Sequence, residues 1–180
     1  HNSSHWGQEG QPPLCTGVPP SRAGLSASAA NLQPLRYILS NEPEKNARIF
    51  PCTAWAGYLK DWPGPAPGER PSAYIVMVGD ASHSRLLSCD AGIAAQSILL
   101  GATERGLGGC IIGSIDQEQL RSALKIPNEY EIVLIIALGK PAEKVILEDI
   151  RPGDDIKYWR DAKGVHHVPK RPLEELVLDL

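Results

Sequence analysis

The sequence predicts a layered fold of the α/β or α+β type, a central sheet with helices packed against it, and three observations point there. "SAYIVMVGD" is a continuous apolar run of strand length that reads as a strand covered on both faces, and "YEIVLIIALG" is the strongest strand in the sequence. A long helical stretch, Ser84 to Arg105, lies between them. Strand-like and helix-like segments interleave as β-α-loop-β-α-β-α-β, and 180 residues suit one domain with a real core.

Residues 1–24 carry two proline pairs and no helical or strand period, so they read as an irregular N-terminal arm, non-native or truncated. The domain proper spans 25–180. "LRYIL", Leu35 to Leu39, is a short strand by its β-branched and aromatic content. "NEPEKNARIFPCTAWAGYLKDW" predicts a helix that Asn41 caps, with Pro43 in the first turn and Glu44 facing the positive end of the dipole; Pro51 should interrupt it. Pro63 to Pro71 is a Pro/Gly loop leading into the first long strand. The Ser84–Arg105 helix is stopped by Gly106 and Gly108, and "GGCIIGS" reads as a buried strand. Asp116 caps a short helix through Leu124, and Pro127-Asn128 turn the chain into "YEIVLIIALG". After Lys140-Pro141 the tail is charged and reads as loop.

Composition excludes several function classes. The net charge is −3 and the basic residues are scattered, without the charged stripe that nucleic-acid binding requires. The four cysteines, at 15, 52, 89 and 110, form no CxxC pair, so neither a disulfide framework nor a structural zinc site is expected, and a reducing cytoplasm is. Cys89 and Cys110 read as small core residues. The start, "HNSSHWGQEGQPP", has no apolar leader region. The apolar run Ala91 to Ala102 is broken by Gln96 and Ser97 and falls short of the ~20 residues of a membrane span, so no membrane is expected as a partner. His166 and His167 are adjacent, which in an extended segment turns them to opposite faces; they read as exposed histidines, not metal ligands. No GxSxG, P-loop or HExxH is present.

Two features stay ambiguous on their residues alone. The helix around Ile93, Ile98, Leu99 and Leu100 is apolar almost all round, which buries it either in a core or between subunits. The glycine-rich "RGLGGCIIG", Arg105 to Gly113, either stops a helix or lets a flat ligand lie on bare backbone.

Four segments together resemble the nitroreductase family. "SASAANLQPLRYILS" resembles its small residues, Asn-x-Gln-Pro and strand entry; "DAGIAAQSILLGATERGLGGCIIGS" is similar to its central helix and glycine loop. "VLIIALGKPAE" resembles its core strand with Gly-x-Pro, and "HHVPKRPLEELV" its basic tail. The resemblance runs from about Leu25 to Leu180. It implies an α+β fold with a central mixed, largely antiparallel sheet flanked by helices, and a homodimer with a shared interface. It also implies FMN as cofactor, NADH or NADPH as electron donor, and a small-molecule acceptor such as a nitroaromatic or quinone, reduced by a ping-pong mechanism at flavin N5. By motif match, Ser28, Asn31 and Gln33 would face the flavin, Gly108 and Gly109 would present backbone to its ring, and Lys170 and Arg171 would meet its phosphate. No side-chain acid, base or nucleophile is implied, since the flavin carries the chemistry. Trp62 and Tyr58 would roof a flat acceptor, with Trp55 beside them or in the core.

One departure stands out. The family's N-terminal arginine run is missing; the only arginine before Ser26 is Arg22. A non-catalytic or weakly flavin-binding dimeric module on the same scaffold is therefore the alternative, beside a flavin enzyme of different reaction (dehalogenation, flavin breakdown).

Overall fold

The structure, a computed structural model, describes residues 25–178, so the expected arm at 1–24 lies outside it. Its centre is a four-stranded sheet in the order β1-β2-β4-β3, made of β1 (Leu35–Ser40), β2 (Ala73–Asp80), β3 (Gly108–Ile112) and β4 (Tyr130–Gly139). All three pairings are antiparallel, and a bulge between Met77 and Val78 shifts the β2–β4 register. The two apolar runs are the two inner strands, which is why neither shows a polar face.

Side-chain alternation along β2 and β4 divides the core in two. Ala73, Ile75, Met77, Ile136 and Leu138 face α2 (Ser84–Thr103), which answers with Ala91, Ala94, Ala95, Ile98 and Ala102. Tyr74, Val76, Val78, Ile132, Ile135 and Ala137 face the other way, onto Ile49 of α1 (Pro43–Ile49) and Leu120 of α3 (Gln117–Leu124). Alanines on α2 let it sit close to the sheet. At Gly79 of β2 an added Cβ would lie 2.2 Å from a Leu87 methyl, so glycine here is the condition for that approach. Gly106, at φ +70°, ends the helix turn as its position predicts. The window Leu86–Thr103 has a mean hydropathy of 1.3 and is long and apolar enough to cross a membrane by length and composition, a longer stretch than the run Ala91–Ala102 suggests. In the fold it is the helix of the first core layer. One face stays uncovered, with Cys89, Gly92, Ile93, Gln96 and Leu100 exposed, so the helix is not enclosed all round and Cys89 is not a core residue.

Three further expectations change. α1 begins at Pro43 with Glu42, not Asn41, at the cap position, and it stops at Ile49. A 3₁₀ turn at Phe50–Cys52 follows, and the chain through Trp62 runs as turns, so Trp55, Tyr58 and Trp62 share no helix. Pro51 ends the helix outright because it cannot donate a hydrogen bond to the preceding turn. The tail is not loop: β5 (Val145–Asp149), β6 (Trp159–Arg160) and β7 (His166–Lys170) form a second sheet, order β5-β7-β6, before the short α4 (Leu173–Leu176). β5 and β7 are parallel, which makes the fold mixed overall while its central sheet is antiparallel.

The histidines of β7 are not exposed. His166 is fully buried, and its Nδ1 lies 3.1 Å from Glu143 Oε1. The same oxygen accepts from Arg160 Nε at 3.2 Å and Nη2 at 2.5 Å, and the Glu143 side chain is 0 % exposed. His167 does point to the other face, as alternation requires. There it stacks on Trp159 at 4.0 Å and meets Glu148 Oε1 at 2.6 Å.

Candidate functional site

The two edges of the central sheet carry the two site-like features. At the β1 edge, residues 26–34 form a strained turn. Ala30, Asn31 and Gln33 all have positive φ, between 49° and 55°. With Ala56 (φ 40°) they make four of the five such non-glycine residues described, and such strain clusters where a loop is held for a task. Asp90 holds it. The Ser28 hydroxyl donates to Asp90 Oδ2 at 2.5 Å, and Ala29 N–H donates to Oδ1 at 3.0 Å. Gln33 N–H donates to Ser28 Oγ at 2.9 Å, so this hydroxyl is committed to the turn. Asp90 is 2 % exposed and sits on α2, 62 residues away in the chain, which is why no local motif announces it.

Arg36 Nη1 closes the turn from outside by donating to the carbonyls of Gln33 and Leu35. Gln33 Nε2 donates to Asn31 Oδ1 at 3.2 Å. Both side chains are exposed and stand together as one amide pair. Beside them lies a pocket of about 140 Å³ lined by Ser28, Gln33, Arg36, Tyr37 and Asp90 among others. Burial, and then the Asp90 carboxylate, push the Tyr37 phenol above its usual value.

The second feature lies at the β3 edge and follows from a broken pairing. Residues 52–54 run antiparallel to 114–116: Thr53 bridges Ile115, Ala54 N–H donates to Ser114 O, and Asp116 N–H to Cys52 O. Continued, this would cover β3. Instead the chain turns away at Ala56 and leaves a pocket of about 330 Å³ between Ala54–Gly57 and Cys110–Ser114, with Tyr158 at its rim. An edge strand left bare presents unpaired N–H and C=O groups along its outer side. Gly57 and Gly113 both line this gap, and a Cβ on either would meet nothing within 4 Å. Neither has positive φ, so no backbone conformation demands glycine there; the open space beside them does the explaining. The Trp55 Nε1–H is buried without a partner among the described residues. Cys110 lines the pocket as a thiol whose pKa burial pushes up to about 11.

Gly108 and Gly109 sit one step upstream, inside β3, opposite Gly139 and Leu138. A Cβ at Gly109 would lie 2.2 Å from a Leu99 methyl and 2.9 Å from one of Leu138, so packing demands that glycine. Tyr58 and Trp62 lie in the loop that peels from β3. The Tyr58 ring meets Tyr158 at 4.9 Å, and Arg160 lies 5.0 Å over the Trp62 ring. Trp55 stacks on Phe50 at 5.9 Å and lines the pocket, combining the two roles its spacing leaves open. Lys170 and Arg171 are exposed at the far end of β7, about 13 Å along the strand from His166. Ser28, Asn31 and Gln33 thus come together at one edge, Gly108 and Gly109 lie beside the pocket at the other, and the basic pair stands apart. Gly57, Asp90, Gly113 and Tyr158 were missed; Gly113 alone lay in a segment whose glycines already drew notice. Among the described residues no group of three or more His, Cys, Asp or Glu could hold a metal ion.

Comparisons with known proteins agree with one another. A family model described as "Nitroreductase family" matches residues 21–140. The Bacillus subtilis (strain 168) protein YodC, which carries the name of an NAD(P)H nitroreductase, is 22 % identical over 121 residues, covering 64 % of this chain and 56 % of its own. The chain therefore spans little more than half the length of that relative. An FMN-dependent nitroreductase from Clostridium difficile R20291 superposes with a TM-score of 0.61 at 23 % identity, over 79 % of this chain and 83 % of that one. A family protein from Streptococcus pneumoniae TIGR4 does so with 0.68 at 18 % identity, over 100 % and 96 %. These likenesses establish the fold.

Proposed function

The chain belongs to the nitroreductase family, and from that premise we propose that it is an FMN-dependent oxidoreductase. It passes electrons from NADH or NADPH to a small nitroaromatic, quinone or related acceptor, in two half-reactions that share one place. The observation that carries this is the bare β3 edge with Gly57 and Gly113, open space against backbone where a flat ring fits. Bound FMN would supply hydride transfer through its N5.

The residues present suit that group. Outward N–H and C=O groups of β3 match the alternating donors and acceptors of a flavin's pyrimidine edge, and Ile111, Ile112 and Trp55 give apolar walls. Asn31 and Gln33 supply a further amide pair, presented by the turn that Asp90 holds. Lys170 and Arg171 make no ion pair among the described residues and are assigned to the phosphate.

Geometry supports a homodimer as the working form. The Asn31/Gln33 turn and the β3 pocket lie at opposite edges of a four-stranded sheet, about 14 Å apart across three strand spacings. One flat ring does not touch both in a single chain; two chains related by a two-fold would bring the turn of one to the pocket of the other. The uncovered α2 face, with Ile93 39 % and Leu100 61 % exposed, offers apolar contact for this. A water-soluble, cytoplasmic enzyme is the setting proposed for it. Purified protein incubated with FMN and desalted should be yellow, and NADH or NADPH without oxygen should bleach it. Protein that retains no flavin, or whose flavin neither donor reduces, contradicts the proposal.

A further inference from the structure

Across the β3 pocket from Ile111–Ser114 stands Tyr158, contributed by the second sheet's approach to β6. Of the side chains lining the pocket only Ser114 and Tyr158 carry a hydroxyl, and Ser114 lies on the β3 wall itself. Tyr158 is held from two sides: its ring lies 4.9 Å from that of Tyr58 and 5.3 Å from that of His166. Its oxygen is 3.4 Å from Tyr58 N, whose N–H donates to it. His166 in turn is fixed by the buried Glu143, which also holds Arg160. The Tyr158 hydroxyl therefore accepts a hydrogen bond while its own proton has no acceptor among the described residues.

We infer that Tyr158 is a specificity-determining residue: its hydroxyl donates to an oxygen of the electron acceptor, selecting nitro and quinone groups over acceptors without such an oxygen. This rests on the flavin occupying the β3 side of the same pocket. As a nitro or quinone group is reduced, negative charge gathers on its oxygen, and a donor fixed beforehand stabilises that charge without reorganising. The phenol keeps its proton, so no bond is made or broken at Tyr158. The double clamp on its ring is what sets the donor in advance, because neither Tyr58 nor His166 leaves the phenol free to turn away.

Tyr158→Phe removes one oxygen, and with it the acceptor of the Tyr58 N–H, but leaves the ring contacts; the unfolding midpoint, measured alongside, should match the wild type. Three quantities are measured in wild type and variant: flavin content, kcat/KM with nitrobenzene and with ferricyanide, and the affinity for benzoate by calorimetry. Benzoate has the planar two-oxygen head of a nitroarene and is not reduced; ferricyanide takes electrons without offering an oxygen. The variant should bind benzoate on the order of tenfold more weakly and lose about tenfold or more in kcat/KM for nitrobenzene, with flavin content and ferricyanide turnover within about twofold. Unchanged benzoate affinity and nitrobenzene kcat/KM overturn the assignment, as does an equal loss with both acceptors. If the wild type takes up no FMN, the oxidoreductase function falls instead; the benzoate arm then decides alone, and equal affinities overturn the role of Tyr158.

Discussion

Gly109 and Gly113 are four residues apart and stand for opposite reasons. An added Cβ at Gly109 collides with Leu99 and Leu138, whereas one at Gly113 points into open space at the pocket. Gly109→Ala should therefore destabilise the fold by about 1–3 kcal/mol in denaturant titrations. Gly113→Ala should leave the unfolding midpoint within experimental scatter while weakening FMN binding by about tenfold, since the methyl would stand where the proposed flavin ring lies on backbone. The cysteines divide in a similar way. Burial holds the Cys110 thiol up to about 11 and raises that of Cys52, so both stay protonated at pH 8, while Cys89 is exposed. Iodoacetamide at pH 8, followed by mass spectrometry of the folded protein, should label Cys89 well before Cys52 and Cys110. Raising the pH towards 11 deprotonates the unfolded chain's thiols first, so stability from these two buried thiols falls as the pH climbs past their ordinary range.

At the scale of elements, the second sheet depends on one carboxylate. Glu143 Oε1 takes hydrogen bonds from Arg160 and faces His166, while Oε2 is buried without a partner among the described residues. Through Arg160 it reaches Trp62, and through His166 and Tyr158 it reaches Tyr58, so the loop that forms the pocket mouth hangs from this group. Glu143→Ala leaves the partly exposed Arg160 guanidinium without its ion pair and should cost about 2–3 kcal/mol, less than breaking a fully buried pair. Hydrogen exchange should then rise first in 54–62 and 158–168, ahead of β2 and β4; uniform loss of protection would contradict the hanging-loop account. These same elements were the least legible in the sequence. β2, β4 and α2 announce themselves because burial on both faces, or helical length, needs only local pattern. β5 to β7 are short, half exposed and joined by a parallel pairing between distant segments, and their stabilising charge cluster has no period to detect. Residues 53–62 suggested a helix by aromatic spacing, but the proline at 51 and the bridge from Thr53 to Ile115 took the backbone elsewhere.

For the whole molecule, the family membership and the layered fold were within reach of the sequence, because four separated segments keep their order and the sheet's inner strands are unmistakable. The site was legible in its parts: the Asn31/Gln33 turn stands out as a proline-bounded amide pair. What joins the parts is not written in any one segment, since Asp90 is 62 residues from Ser28 and, in the proposed dimer, a second copy of the chain would bring the two sheet edges to one ligand. A flavin site shared between two chains is thus the central claim, and sedimentation velocity with detection at both protein and flavin wavelengths tests it most directly. Protein loaded with FMN should show the flavin absorbance moving with a dimer at about one flavin per chain, and dilution that releases monomers should release the flavin with them. Flavin that sediments with a monomer of 19.5 kDa would contradict it.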